Sequence, residues 1–126
     1  MTIKQRLHIG NKFDGLCAYT GKPLGNDWQI DHMEPPFYAI MYGRNPNRDE
    51  NLVPALGIVN HYKRRKDLEE FRKYMLSFHQ RLAKLPKKTK VEKSAKRVQY
   101  MCKVAEAFSV TPDKPFNGKF YFEITS

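Results

Sequence analysis

Apolar residues recur at helical spacing in the second half of the chain, where Leu68, Phe71, Met75, Phe78 and Leu82 fall three or four positions apart and make one stripe. Asp67 before that stripe supplies an N-cap and Glu70, three residues on, the partner of a capping box, so the helix starts there and Pro86 stops it. A further helix is expected from Glu92 to Phe108, with Ala95, Val98, Met101, Cys102, Ala105 and Phe108 as its buried face. The two amphipathic helices then form an antiparallel pair. After Thr111-Pro112 and Asn117-Gly118, the aromatic run 119–123 reads as a terminal strand, whose unpaired edge offers a surface to a protein partner.

The first half is more broken. Ile3, Leu7 and Phe13 mark a short helix over residues 3–13, closed by the Asp14-Gly15 turn. Two β-compatible runs, 16–19 and 28–30, are separated by Gly21, Pro23, Gly25 and Asn26 and read as a hairpin that ends at Asp31-His32. Residues 33–50 hold Pro35-Pro36, Gly43 and Pro46, a composition that opposes long regular structure and predicts a connecting loop. Leu52, Leu56 and Val59 suit one side of a helix running to Lys66, with Asn60, Lys63 and Arg64 on another side. The expected class is α+β.

Size and charge narrow the picture. A chain of 126 residues buries one modest core, so residues 1–126 are expected to be a single domain. Its 23 Lys and Arg against 13 Asp and Glu leave a net charge of +10, and the cations cluster: residues 84–97 alone hold seven basic side chains and one acidic. Such a field attracts a polyanion, which makes nucleic acid the first partner to consider. An apolar run of membrane-spanning length is missing, and residues 1–10 do not read as an export signal. Two distant cysteines, Cys17 and Cys102, suit a reducing compartment, so a cytoplasmic setting is expected.

The candidate chemistry lies in three places. Asp31 offers a hard oxygen ligand for magnesium or manganese, and neutral His32 beside it can take a proton from water. Adjacent strand residues face opposite ways, so both serve one site only if the strand ends or kinks there. Asn51 has an ordinary reading as a helix N-cap or turn former. Asn60 does not: mid-helix asparagine has poor propensity, and an amide oxygen can complete a hard-metal shell. Lys63, Arg64, Arg65 and Lys66 follow as cations that can grip phosphates beside a scissile bond.

Taken in order, Asp31-His32-Met33-Glu34-Pro35, Asn51-Leu52 and Asn60-His61-Tyr62-Lys63 resemble the HNH endonuclease motif of small bacterial and phage nucleases. The likeness covers about residues 13–72, and Leu68-Glu69-Glu70-Phe71-Arg72 looks like the helix that often follows the motif. The resemblance implies a beta-beta-alpha-metal core over about residues 13–66, with the helix pair and terminal strand, residues 67–126, as an extension. It implies DNA cleavage to 5′-phosphate and 3′-hydroxyl ends, in a bacterial or phage-infected cell. His32 would be the general base, Asp31 and Asn60 the ligands of one divalent cation, and Asn51 the support of the loop that orients His32. His61 is a possible substitute ligand or phosphate contact, although a turn of about 100° from Asn60 should point it elsewhere. Where many relatives carry four zinc-binding cysteines, this chain has Cys17, Thr20, Leu56 and Val59, so no structural zinc is expected and apolar packing should fill the place. The competing expectation is a non-catalytic nucleic-acid-binding module of the same shape.

Overall fold

Thr2 accepts a hydrogen bond from the Gln5 N–H while the Gln5 side chain accepts from the Thr2 N–H, and this reciprocal cap opens the first helix, α1 (Ile3–Gly10). The structure is a computed structural model that describes residues 1–125. Only the end of α1 is buried, at Ile9 and Gly10; Ile3 and Leu7, expected on its apolar side, are 81% and 60% exposed.

The expected hairpin is replaced by a different pairing. Residues 16–23 close on themselves through a single bridge between Leu16 and Pro23, with Cys17 N–H donating to the Lys22 carbonyl at 2.8 Å. The strand β1 (Gln29–His32) instead pairs antiparallel with β2 (Leu52–Ala55), in the register Gln29↔Ala55 through His32↔Leu52. Leu52 is therefore a strand residue and not the start of a helix. All four β2 residues are buried, so the strand carries no polar alternation by which a sequence would announce it. Ala18 N–H donates to the Pro54 carbonyl at 2.9 Å and ties the 16–23 loop to the sheet.

The connection between the strands holds a short helix, α2 (Pro36–Met41), and a single 3-10 turn, Asp49–Asn51. The helix α3 (Gly57–Lys63) follows β2 at once. Glycine at position 57 eases a close approach, because a Cβ there would lie 3.0 Å from the Asp27 carbonyl oxygen.

Asp67 and Glu70 form the expected capping box, but the stripe it opens is divided at Ser77 into α4 (Leu68–Leu76) and α5 (Phe78–Ala83). Phe71, Met75 and Phe78 of that stripe are fully buried. The helix α6 (Glu92–Phe108) has the expected bounds and packs chiefly on α3 and α5. Its buried residues are Met101, Val104, Ala105 and Ala107, while Cys102, expected inside, is exposed.

The expected terminal strand is also overturned, since residues 121–124 form a one-turn helix, α7 (Tyr121–Ile124). Two of its backbone amides bond to the first half of the chain: Tyr121 N–H donates to the Tyr19 carbonyl at 3.1 Å and Phe122 N–H to the Ala18 carbonyl at 2.9 Å. Tyr121 covers Gly21, whose φ of +73° and lack of Cβ both matter, because a Cβ would meet the ring at 2.5 Å. Arg72 fixes the same end, donating to Glu123 at 2.6 and 2.7 Å and to the Gly118 carbonyl at 2.7 Å.

One apolar cluster joins both halves, from Cys17, Tyr19, Val53 and Val59 to Phe71, Phe78, Val104 and Phe120. At its centre Tyr19 lies edge-on to Phe71 and Phe120, which stack on each other at 5.4 Å. Each fully buried aromatic side chain contributes about 1.5–3 kcal/mol of transfer free energy, so this cluster outweighs any surface pair. Among the described residues the fold is α+β, with one two-stranded antiparallel sheet and seven α-helices. No helix among them is long and apolar enough to cross a membrane.

Candidate active site

Alternation along β1 puts Gln29 and Asp31 on one face, and α3 covers that face. Asn60 and Lys63, one helical turn apart, make the contacts: Asn60 Nδ2 donates to Gln29 Oε1 at 2.6 Å, and Lys63 Nζ lies 3.2 Å from Asp31 Oδ2. Lys63 also donates to the His32 carbonyl at 3.0 Å and is fully buried, and Asp31 is only 5% exposed. The Tyr19 hydroxyl donates to Asp31 Oδ2 in a short hydrogen bond.

Burial pushes the Asp31 carboxyl up from its ordinary range, against the opposing pull of Lys63 and Tyr19. Burial likewise pushes the Lys63 ammonium down, and raises the Tyr19 phenol well above its usual value. Both members of the pair are thus drawn towards their neutral forms, and each depends on the other to remain charged. The expectation that Lys63 belongs to a phosphate-gripping surface is corrected here: it is an interior cation facing Asp31.

His32 is the last residue of β1, where the strand gives way to the 33–48 loop. Its Nε2 lies 2.9 Å from Asn47 Oδ1, and with that oxygen accepting, Nε2 carries the proton and Nδ1 is the basic atom. Asn51 is buried and holds this loop at both ends. Its Oδ1 accepts from the Glu34 N–H at 2.7 Å, and its Nδ2 donates to the carbonyls of Glu34 and Pro46, both at 2.9 Å. Pro46 adjoins Asn47, so the amide of Asn51 fixes the residue that fixes His32. Arg44 and Arg48 close the loop further on the Glu34 carboxylate, at 2.5 and 3.1 Å, and hold it below the usual range.

Beyond Asn60 the surface opens into a hollow of about 860 Å³ lined by Gln29, Asn60, His61, Arg64, Arg65 and Lys66. His61 lines the edge of this hollow but points away from the Asn60 contact with β1, as its angular position implies. Its Nδ1 meets the Tyr100 hydroxyl at 2.6 Å, which swings the ring towards α6. Lys66 lies over the Tyr74 ring at 4.3 Å, while Arg64 and Arg65 are exposed.

The fit of a divalent cation rests on the oxygens that these contacts leave. Asp31 Oδ1 has Lys63 Nζ at 3.4 Å, longer than a good charge-assisted bond, and the Asn60 bond to Gln29 uses the amide nitrogen and not Oδ1. Asp31 Oδ1 and the Asn60 amide oxygen are the hard donors on the β1–α3 seam that a hydrated ion such as magnesium would take, in competition with the Lys63 ammonium for Asp31. No cluster of three His, Cys, Asp or Glu side chains placed to hold a metal exists among the described residues. Around Cys17, Leu56 and Val59 the packing is apolar: Cys17 and Val59 are fully buried, and Cys17 Sγ accepts from the Leu56 N–H at 3.5 Å.

Three residues of this corner, Gln29, Tyr19 and Asn47, stand outside the motif. Gln29 was accessible from the sequence, because it shares the face of Asp31 by simple alternation. Tyr19 and Asn47 carried no such signal; each reaches the site through a turn whose path the residue pattern does not determine. No family model, curated protein or solved structure matches this chain.

Proposed function

We propose that this protein is a metal-dependent endonuclease that hydrolyses phosphodiester bonds in DNA, built on a beta-beta-alpha unit of the HNH kind. One observation supports the reading: Asn60 of α3 packs on β1 at Gln29 and lines an open basic hollow, while Asn51 braces the loop whose Asn47 contacts His32 at the end of the same strand. In this reading His32 Nδ1 takes a proton from the attacking water, with Asn47 holding the tautomer that leaves Nδ1 free to act. As the new P–O bond forms, the bond to the 3′ oxygen breaks, and that oxygen leaves with a proton from solvent. Asp31 and Asn60 would hold the magnesium or manganese ion. When bound, that ion offsets charge developing on the phosphate and on the leaving oxygen. His61, Arg64, Arg65 and Lys66 seat the flanking phosphates without reading bases.

Nicking of supercoiled plasmid tests the reading, with wild type and His32→Ala each assayed in magnesium, in manganese and in chelator. Metal-dependent relaxation by the wild type, reduced about 10²- to 10⁴-fold in His32→Ala with DNA binding retained, is the expected result. One observation favours a second reading, a non-catalytic nucleic-acid-binding module: the Lys63 ammonium already neutralises Asp31, where a metal ion would otherwise do so. Salt-sensitive binding without cleavage in any metal would decide for that module.

A further inference from the structure

A second hollow, of about 390 Å³, lies between the end of α3 and the first turns of α6, lined by His61, Arg64, Lys93, Ser94, Arg97 and Tyr100. It shares His61 and Arg64 with the hollow beside Asn60, so the two adjoin. None of its lining residues is acidic. Glu92, the acidic residue of the first α6 turn, is paired with Lys96 at 3.3 Å. Val91 provides α6 with no side-chain cap, and the hydroxyls of Ser94 and Tyr100 add polar atoms between the cations.

Arg64 supplies an independent observation. It ends α3 at φ 56°, ψ −128°, backbone geometry that favours glycine and strains an L side chain. The fold alone would be served by glycine. What the arginine adds is an exposed guanidinium where the two hollows meet.

We infer that the α3–α6 cleft is a second phosphate seat, which takes the backbone of the same polynucleotide that lies in the hollow beside Asn60. This rests on the nucleic-acid reading of that hollow. The ligand is a phosphodiester, contacted by Arg64, Lys93 and Arg97 through charge and by Ser94 through its hydroxyl. The helical extension thus lengthens the track along which the strand is held, independently of the corner at His32.

The test is fluorescence anisotropy of a labelled DNA duplex in chelator across a salt series, on the full chain. Wild type is compared with Lys93→Gln/Arg97→Gln and with a charge-matched control, Lys4→Gln/Lys119→Gln, on other surfaces. The cleft variant should bind more weakly and show a plot of log affinity against log salt shallower by about 1.8, two contacts at about 0.9 each, with the control near wild type. Thermal melts establish that both variants are folded; should the cleft variant melt early, Arg97→Lys, which keeps the charge, should bind as wild type does. Equal losses in cleft and control variants, or no loss in the cleft variant, overturn the seat while leaving the first hollow intact. No DNA binding by the wild type overturns both readings together, whereas binding without cleavage leaves the seat supported and removes only the nuclease.

Discussion

At the scale of single residues, the Asp31–Lys63 pair shows how a cation read as surface becomes interior. Lys63 lies within the run 63–66, and nothing in that run marks it off from Arg64. Only the packing of α3 on β1 sends one inward and the other out. Because each charge is buried with the other, removing one should cost far more than removing both. Asp31→Asn should destabilise the fold by about 3–5 kcal/mol in urea unfolding, and adding Lys63→Met should recover most of that loss. Arg64 makes the opposite case, in which stability and binding pull apart. Arg64→Gly should raise stability by about 1 kcal/mol by relieving its backbone, while weakening DNA binding. A glycine variant that melts earlier, or binds equally well, would contradict the strain argument. His32, Asn51 and Asn60 were legible as candidates because of their order in the chain. Asn47, which orients His32, was not, since a second asparagine in a proline-broken loop reads only as turn chemistry.

At the scale of elements, legibility followed local periodicity. The capping box at Asp67 and the bounds of α6 were readable because helix signals lie within a few residues of one another. The strand β2 was not, because a fully buried four-residue strand has no alternation, and its partner is 20 residues away. The run 119–123 misled for a related reason: aromatic residues favour strands only where a sheet edge receives them, and here Phe120 enters the helical core instead. What anchors α7 is the clamp of Arg72 on Glu123, whose carboxyl is held below its usual range first by the hydrogen bonds from Arg72. A folded-state value below the unfolded one means stability that is present above the unfolded value, about 4.3, and lost as pH falls through the folded one. Glu123→Gln should therefore lower stability near neutrality by about 1–2 kcal/mol and flatten the loss on acidification. Thermal melts from pH 7 to pH 3 measure both effects.

At the scale of the molecule, a net charge of +10 alone makes any polyanion attractive; what gives it direction is that five cations, Arg64, Arg65, Lys66, Lys93 and Arg97, line two adjoining hollows. If those five make the phosphate contacts, log affinity for DNA should fall against log salt with a slope of about −4.5. A slope near −10 would mean that the charge acts diffusely and that the two hollows have no special part. The other molecular feature is that the two ends of the sequence meet at Tyr19, packed by Phe71, Phe120 and Phe122 while its hydroxyl holds Asp31. During synthesis, Asp31, His32, Asn51 and Asn60 all leave the ribosome long before Phe120 arrives to seat that tyrosine. The packing of Tyr19 therefore waits for Phe120, and a nascent chain carries Asp31, His32, Asn51 and Asn60 before the tyrosine that holds Asp31 is seated.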